Sequence, residues 1–271
     1  MLTTLVIGKT SNLSMAIVKM MDQCVLISSR DILNDKSILN DYKNQKINII
    51  FNNFQPANKL NILDKSTEYI THSILTTSYV LDYFIDEDIN KIIYTSSSSV
   101  YGNNVFCNET DELKPISLHA SLKVANEKLI EKYCTENRIN YTIARVFNMY
   151  GGNDKFSVIS KILAAAKEGD ILTIINRGNS IRDFIHIDDV VAIYMELMEL
   201  KVQYINIGTG EGVSIKTLLD FLHLKGVKLK VESISRDELK VSTANIKLLT
   251  ELVKMKSFKS IEEYFNKELC L

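Results

Sequence analysis

Residues 2–31 read LTTLVIGKTSNLSMAIVKMMDQCVLISSRD, and their pattern decides the fold. An apolar run, Leu2 to Ile7, stops at Gly8. Leu13, Ile17, Val18 and Met21 then recur at helical spacing, and a second apolar run follows at Cys24 to Ile27. Strand, turn, helix and strand with short connections make a βαβ start. The alternation continues with a buried strand at 47–51, a helical stretch at about 61–84 and a strand at 91–95. A helix at 117–137 sets Lys, Glu and Ala on one face and Leu122, Leu129, Ile130 and Tyr133 on the other; a strand at 141–146 follows. Short apolar runs without polar alternation are strands covered on both faces, hence a parallel sheet. Alternating strands and helices predict an α/β, doubly wound, Rossmann-like parallel sheet over residues 1–150.

After Gly151-Gly152 the pattern changes. A helix at 156–168, strands at 171–175 and 184–187, a helix at 188–200, a strand at 204–207, a helix from Ser214 and a strand at 227–234 predict a smaller mixed α/β substrate lobe. The expected division is residues 1–150, with the chain returning at about 178–208, against a lobe of 151–177 and 209–271.

The 271 residues are 46% hydrophobic, enough to bury a substantial core, and 32 basic against 33 acidic residues give a net charge of −1. No basic excess points to nucleic acid. Cys24, Cys107, Cys134 and Cys270 form no CxxC pair and read as reduced thiols, and the histidines show no metal-ligand spacing, so no metal is expected. The opening MLTTLVIGKTS lacks the pattern of a signal peptide, and no apolar window approaches the length of a membrane span. A cytoplasmic, membrane-free protein is the expectation.

Three places carry candidate chemistry. In the first turn, Gly8, Ser11 and Ser14 stand where a dinucleotide fold uses glycines to bring backbone close to a pyrophosphate. Serine hydroxyls can bond phosphate, although the pattern also fits an ordinary strand-to-helix turn. After the second strand, Ser29 and Arg30 suit a ribose 2′-phosphate, where an acidic residue would accept from ribose hydroxyls. This favours NADP over NAD, with a solvated surface arginine as the alternative. TSSSSVYG (95–102) follows a strand at the sheet edge where such folds bind ligands, and His119 and Lys123 share a helix face at i, i+4.

With these residues in place the chain resembles the NAD-dependent epimerase/dehydratase family of the extended short-chain dehydrogenase/reductase superfamily, enzymes of nucleotide sugars. The resemblance rests on TSSSSVYG, RVFNMYGG (145–152), RGNSIRDFIHIDDV (177–190) and YINIGTGEGVSI (204–215) in order. It implies that Ser97 is the catalytic Ser/Thr, and that Lys123 is the lysine of Y-x-x-x-K, which holds the nicotinamide ribose. His119 stands where the family has its tyrosine, so it becomes the candidate proton carrier, with a non-catalytic binder as the alternative. The resemblance assigns Ser98, Asn148, Arg182 and Arg236 to the nucleoside-diphosphate-sugar substrate. Dehydratases of the family carry an Asp-Glu pair where this chain has Ser98-Ser99. The resemblance thus implies an oxidoreductase acting at the sugar C4, with 4-ketoreductase preferred, 4-epimerase as alternative, and a homodimer.

Overall fold

The computed structural model describes residues 2–53, 66–255 and 257–271. The chain divides into two units. The first comprises 1–100, 115–145 and 191–205, the second 101–114, 146–190 and 206–271.

The first unit is built on a six-stranded sheet. Its strands are β1 (Leu2–Ile7), β2 (Cys24–Ile27), β3 (Lys46–Phe51), β4 (Ile89–Ser97), β6 (Asn140–Val146) and β10 (Tyr204–Ile207); β5 (Phe106–Cys107) belongs to the second unit. The order is β10-β6-β4-β3-β1-β2, and β1 pairs parallel with both β2 and β3, as β3 does with β4. Leu5, Ile7, Ile47, Ile49, Phe51 and Ile92 are fully buried, which is why these strands show no polar alternation. Each such side chain contributes about 1.5–3 kcal/mol of burial.

The helices of this unit begin with α1 (Asn12–Ile17), α2 (Ser29–Asn34), α3 (Ser66–Ile70) and α4 (Thr76–Tyr83), with a single π-helical turn, Thr71–Leu75, joining the last two. The helix expected over 61–84 is therefore described from Ser66 onward; residues 61–65 lie outside the described residues. The long α5 (Leu118–Glu136) starts on Ser117, whose hydroxyl accepts from the Ala120 N–H. Its buried face is not the leucine face alone. Lys123, Asn126 and Glu127 are buried with Ile130, whereas Leu122 and Leu129 are half-buried. The sequence pattern set the lysines and glutamates on the face opposite Leu122, Leu129, Ile130 and Tyr133. The difference arises because Lys123 and Glu127 find buried polar partners at the end of β4.

The second unit adds β7 (Asn148–Tyr150), α6 (Val158–Glu168), β8 (Ile171–Ile175), β9 (Ile181–His186), α7 (Ile187–Leu197, which crosses the division), β11 (Gly212–Ser214), α8 (Ile215–Leu224), β12 (Lys230–Ile234), β13 (Val241–Ala244), α9 (Lys247–Leu252) and α10 (Ile261–Leu269). One sheet runs β11-β9-β13-β5 with β7 also on β9, and β8 pairs with β12. The division differs from the one expected. Because β9 pairs with β7, β11 and β13, residues 178–190 stay in the second unit, and the chain returns to the first only over 191–205. Residues 101–114 also leave the first unit, since β5 pairs with β13.

Candidate active site

At the carboxyl edge of the first sheet, the β1–α1 turn depends on Gly8. Its φ is +117°, and a Cβ there would sit 2.4 Å from the Asn52 carbonyl oxygen at the end of β3. Ser14 is fully buried and receives the Asn52 Nδ2–H at 3.0 Å, so a hydroxyl fills the space between α1 and β3. Ser11 caps α1 without a side-chain bond and is partly exposed. After β2, Ser28 caps α2 by accepting from Asp31 N, with Ser29 and exposed Arg30 on the first helical turn. Ser29 and Arg30 are thus helical residues rather than an extended strand end.

The serine run divides into parts. Ser96 and Ser97 complete β4, and Ser98 begins a 3₁₀ turn to Tyr101. Ser97 Oγ accepts from both Ser99 N–H (3.2 Å) and Ser99 Oγ–H (3.0 Å), so its own proton is the one left to donate to a further group. Ser96 Oγ donates to buried Glu127, which also takes Arg145 through Nη2 (2.9 Å) and Nε (3.3 Å). Arg145 and Glu127 side chains are 4% and 0% exposed, a sealed ion pair at the base of the site.

Lys123 feels the charge of Glu127 in that pair. It is 2% exposed, its Nζ donates to Thr95 O at 2.6 Å, and it sits 5.0 Å from the centre of the Tyr94 ring. Burial pushes its ammonium well below the usual lysine range, and the Glu127 carboxylate opposes the shift. One helical turn earlier, His119 is partly exposed. Burial first, and the Lys123 charge second, lower its pKa from 6.5 to about 3, so the ring is neutral near pH 7.

In the second unit, Arg182 on β9 pairs with Glu238 (Nη2–Oε2, 3.2 Å), which also accepts from Ser180 Oγ (2.6 Å) and Asn176 Nδ2 (3.3 Å). Asn176 also bonds both the carbonyl and the N–H of Arg236, fixing that backbone while the residue stays exposed. Asn148 Nδ2 donates to Asp183 O at 3.1 Å. Fully buried Asp183 receives N–H groups from Thr209, Gly210 and Ala244 and the Thr209 hydroxyl, which locks the GTG turn onto β9. His186 is a buried structural residue: it packs edge-on against Tyr150, and a Cβ on Gly151 would meet its Nε2 at 2.6 Å.

The NAD dependent epimerase/dehydratase family model matches residues 18–208. The chain belongs to that family. The match begins after Gly8, Ser11 and Ser14, the turn where this chain departs from the glycine-rich pattern. Among similar family members, the UDP-glucuronate 4-epimerase of Thermodesulfobacterium geofontis is 26% identical over 242 residues, covering 86% of this chain and 75% of the relative. The ADP-L-glycero-D-manno-heptose-6-epimerase of Brachyspira hyodysenteriae is 33% identical over 150 residues, 51% of this chain and 47% of the relative. The fold is that of a UDP-glucuronic acid 4-epimerase from Bacillus cereus, solved with UDP-glucuronic acid and NAD: TM-score 0.83 at 21% identity, covering 99% of this chain and 98% of that one. The chain spans about half the length of several curated relatives it matches, from 41% to 59%.

The first-turn residues fit the dinucleotide that the family name implies. Gly8 keeps the turn open where any side chain would collide with Asn52, and Ser14 is small enough to let α1 approach β3. Among the described residues, no cluster of His, Cys, Asp or Glu could hold a metal, no helix is long and apolar enough to cross a membrane, and all four cysteines are free. Sequence reasoning missed Glu127, Arg145 and Glu238. Glu127 did carry a signal, since it continues the i, i+4 series His119–Lys123–Glu127.

Proposed function

We propose that this protein is a 4-ketoreductase of nucleoside-diphosphate sugars that uses NADPH. The observation that carries the proposal is the neutral imidazole at position 119, held there by burial beside Lys123. Epimerisation, the activity in several relatives' names, begins by removing a proton from a sugar hydroxyl. A base whose conjugate acid has a pKa of about 3 is badly matched to that task. A neutral imidazole N–H can instead donate to a ketone oxygen and polarise the carbonyl. Ser97, with both lone pairs engaged by Ser99, supplies a second donor to the same oxygen. Reduction then needs one proton on that oxygen, which Ser97 or His119 gives and solvent replaces. The nicotinamide, when bound, supplies the hydride. Ser98-Ser99 offers no carboxyl to protonate a leaving hydroxyl, which argues against dehydration.

In this reading Gly8 and Ser11 receive the pyrophosphate while buried Ser14 lets α1 close on β3 beneath it, Ser29 and Arg30 receive the 2′-phosphate, and Lys123 orients the ribose. Arg182, Arg236, Asn148 and Ser98 bind the substrate, the guanidinium forks matching its diphosphate. The protein works in the cytoplasm as a homodimer. A second reading, a non-catalytic nucleotide-sugar binder, is favoured by the near-complete enclosure of Lys123. One assay separates the two. The full chain is mixed with NADPH and a UDP-4-keto-6-deoxy sugar formed in situ by a separate dehydratase. Sugar-dependent loss of NADPH absorbance supports the reductase. Binding of UDP-sugar and NADPH without oxidation supports the binder.

A further inference from the structure

A π-helical turn joins α3 and α4 at Thr71–Leu75, and three side chains, Asn53, Thr76 and Thr77, claim its carbonyls. Asn53, 4% exposed just beyond β3, donates through Nδ2 to His72 O and Ser73 O (3.1 Å each) and lies 3.2 Å from Thr77 Oγ1. The Thr77 hydroxyl takes Ser73 O again at 2.9 Å, and the Thr76 hydroxyl takes Thr71 O at 3.2 Å. Side chains claiming these carbonyls compete with the i→i+4 ladder, and an inserted residue widens the turn. Such turns re-aim the side chains they carry, and they recur at functional sites.

Here the re-aimed side chain is His72. Its Nδ1 lies 3.5 Å from Ser29 Oγ, on the first turn of α2. The contact joins two segments 43 residues apart. His72 is partly exposed, and with Nδ1 facing the serine, Nε2 is the nitrogen left to meet a ligand. Arg30 is the next residue on the same turn and is exposed. Ser29 and His72 meet at the start of α2, and exposed Arg30 is the next residue on that turn; a guanidinium fork, a hydroxyl and an imidazole are a side-chain set suited to a phosphate monoester.

We propose that His72 is a specificity-determining residue that joins Ser29 and Arg30 in binding the 2′-phosphate of NADP(H). The inference rests on the NADP(H) reading above and adds a residue from outside the β2–α2 segment. Asn53 is then a positioning residue, acting only through the turn it holds.

Calorimetry on the full chain with adenosine 2′,5′-bisphosphate and adenosine 5′-phosphate tests this without turnover. The unmutated protein is expected to prefer the bisphosphate. His72→Ala should weaken the bisphosphate about 10- to 100-fold, the effect of one lost hydrogen bond to a charged group, and leave the monophosphate unchanged. His72→Gln, which keeps a donor, should recover part of the loss. Equal weakening of both nucleotides would reduce His72 to packing and overturn the proposal. So would an unchanged His72→Ala beside an Arg30→Ala that loses the bisphosphate alone, in which case the NADP(H) reading stands without His72. No preference in the unmutated protein would overturn the NADP(H) reading and this proposal together.

Discussion

Replacing His119 tests the chemistry most sharply, because donor and base make opposite predictions. With a pKa lowered from 6.5 to about 3, the imidazolium fraction at pH 7 is about one part in 10⁴. Activity that needed the cation would be nearly absent at neutral pH and would rise about tenfold for each unit the pH falls. Activity that uses the neutral N–H is flat in this group from about pH 5 to 9, because the ring stays neutral throughout that range. His119→Gln keeps a neutral donor and should retain activity within about tenfold, whereas His119→Ala should lose on the order of 10²–10³. The assay is kcat/KM for ketone reduction from pH 5 to 9 in all three proteins. A limb near 6.5 that disappears in His119→Gln would refute the donor role, because the ring would then be titrating as an exposed histidine does. The same shift links to stability. Folding favours the neutral ring, so its contribution is full above about 6.5 and is lost as pH falls toward about 3. The denaturation midpoint of His119→Gln should therefore fall less than the unmutated protein's over that range.

Glu127→Ala would leave Arg145 and Lys123 buried with no carboxylate between them, and should cost about 3–5 kcal/mol by chemical denaturation; a loss under about 1 kcal/mol would mean the site is wetter than the structure shows. Gly8→Ala combines φ of +117° with a 2.4 Å approach to the Asn52 carbonyl oxygen, and should cost at least about 1–2 kcal/mol in thermal unfolding, with dinucleotide affinity falling alongside. Arg182→Ala should weaken UDP-glucose about tenfold by calorimetry, with the difference shrinking as salt is raised, whereas an unchanged affinity would remove Arg182 from the substrate site.

The strands of the first sheet were legible because burial on both faces leaves uninterrupted apolar runs, and β1, β2 and β10 fall on the residues that the pattern indicates. The first half of α5 misled for a physical reason. Its buried face carries Lys123, Asn126 and Glu127, and hydropathy assigns such residues to solvent unless their partners are known. Those partners, Thr95 O, Ser73 and Arg145, lie 18–53 residues away in the chain. The division between the units was hidden for a similar reason. Nothing local shows that β9 joins β13 rather than the six-stranded sheet, since only strand pairing decides it. The motif residues were readable as positions. The sense of the His119 shift was readable too, from Lys123 one helical turn on; its size was not, because burial, the larger cause, comes only with the packed helix.

Transfer of label from NADPH deuterated at the nicotinamide carbon that gives up hydride tests the central claim most directly. The reductase reading predicts deuterium at C4 of the product sugar nucleotide, one per NADPH consumed, detected by NMR. Interconversion of UDP-glucose and UDP-galactose with no net NADPH consumption, or binding of the sugar nucleotide with no label transferred, would contradict it.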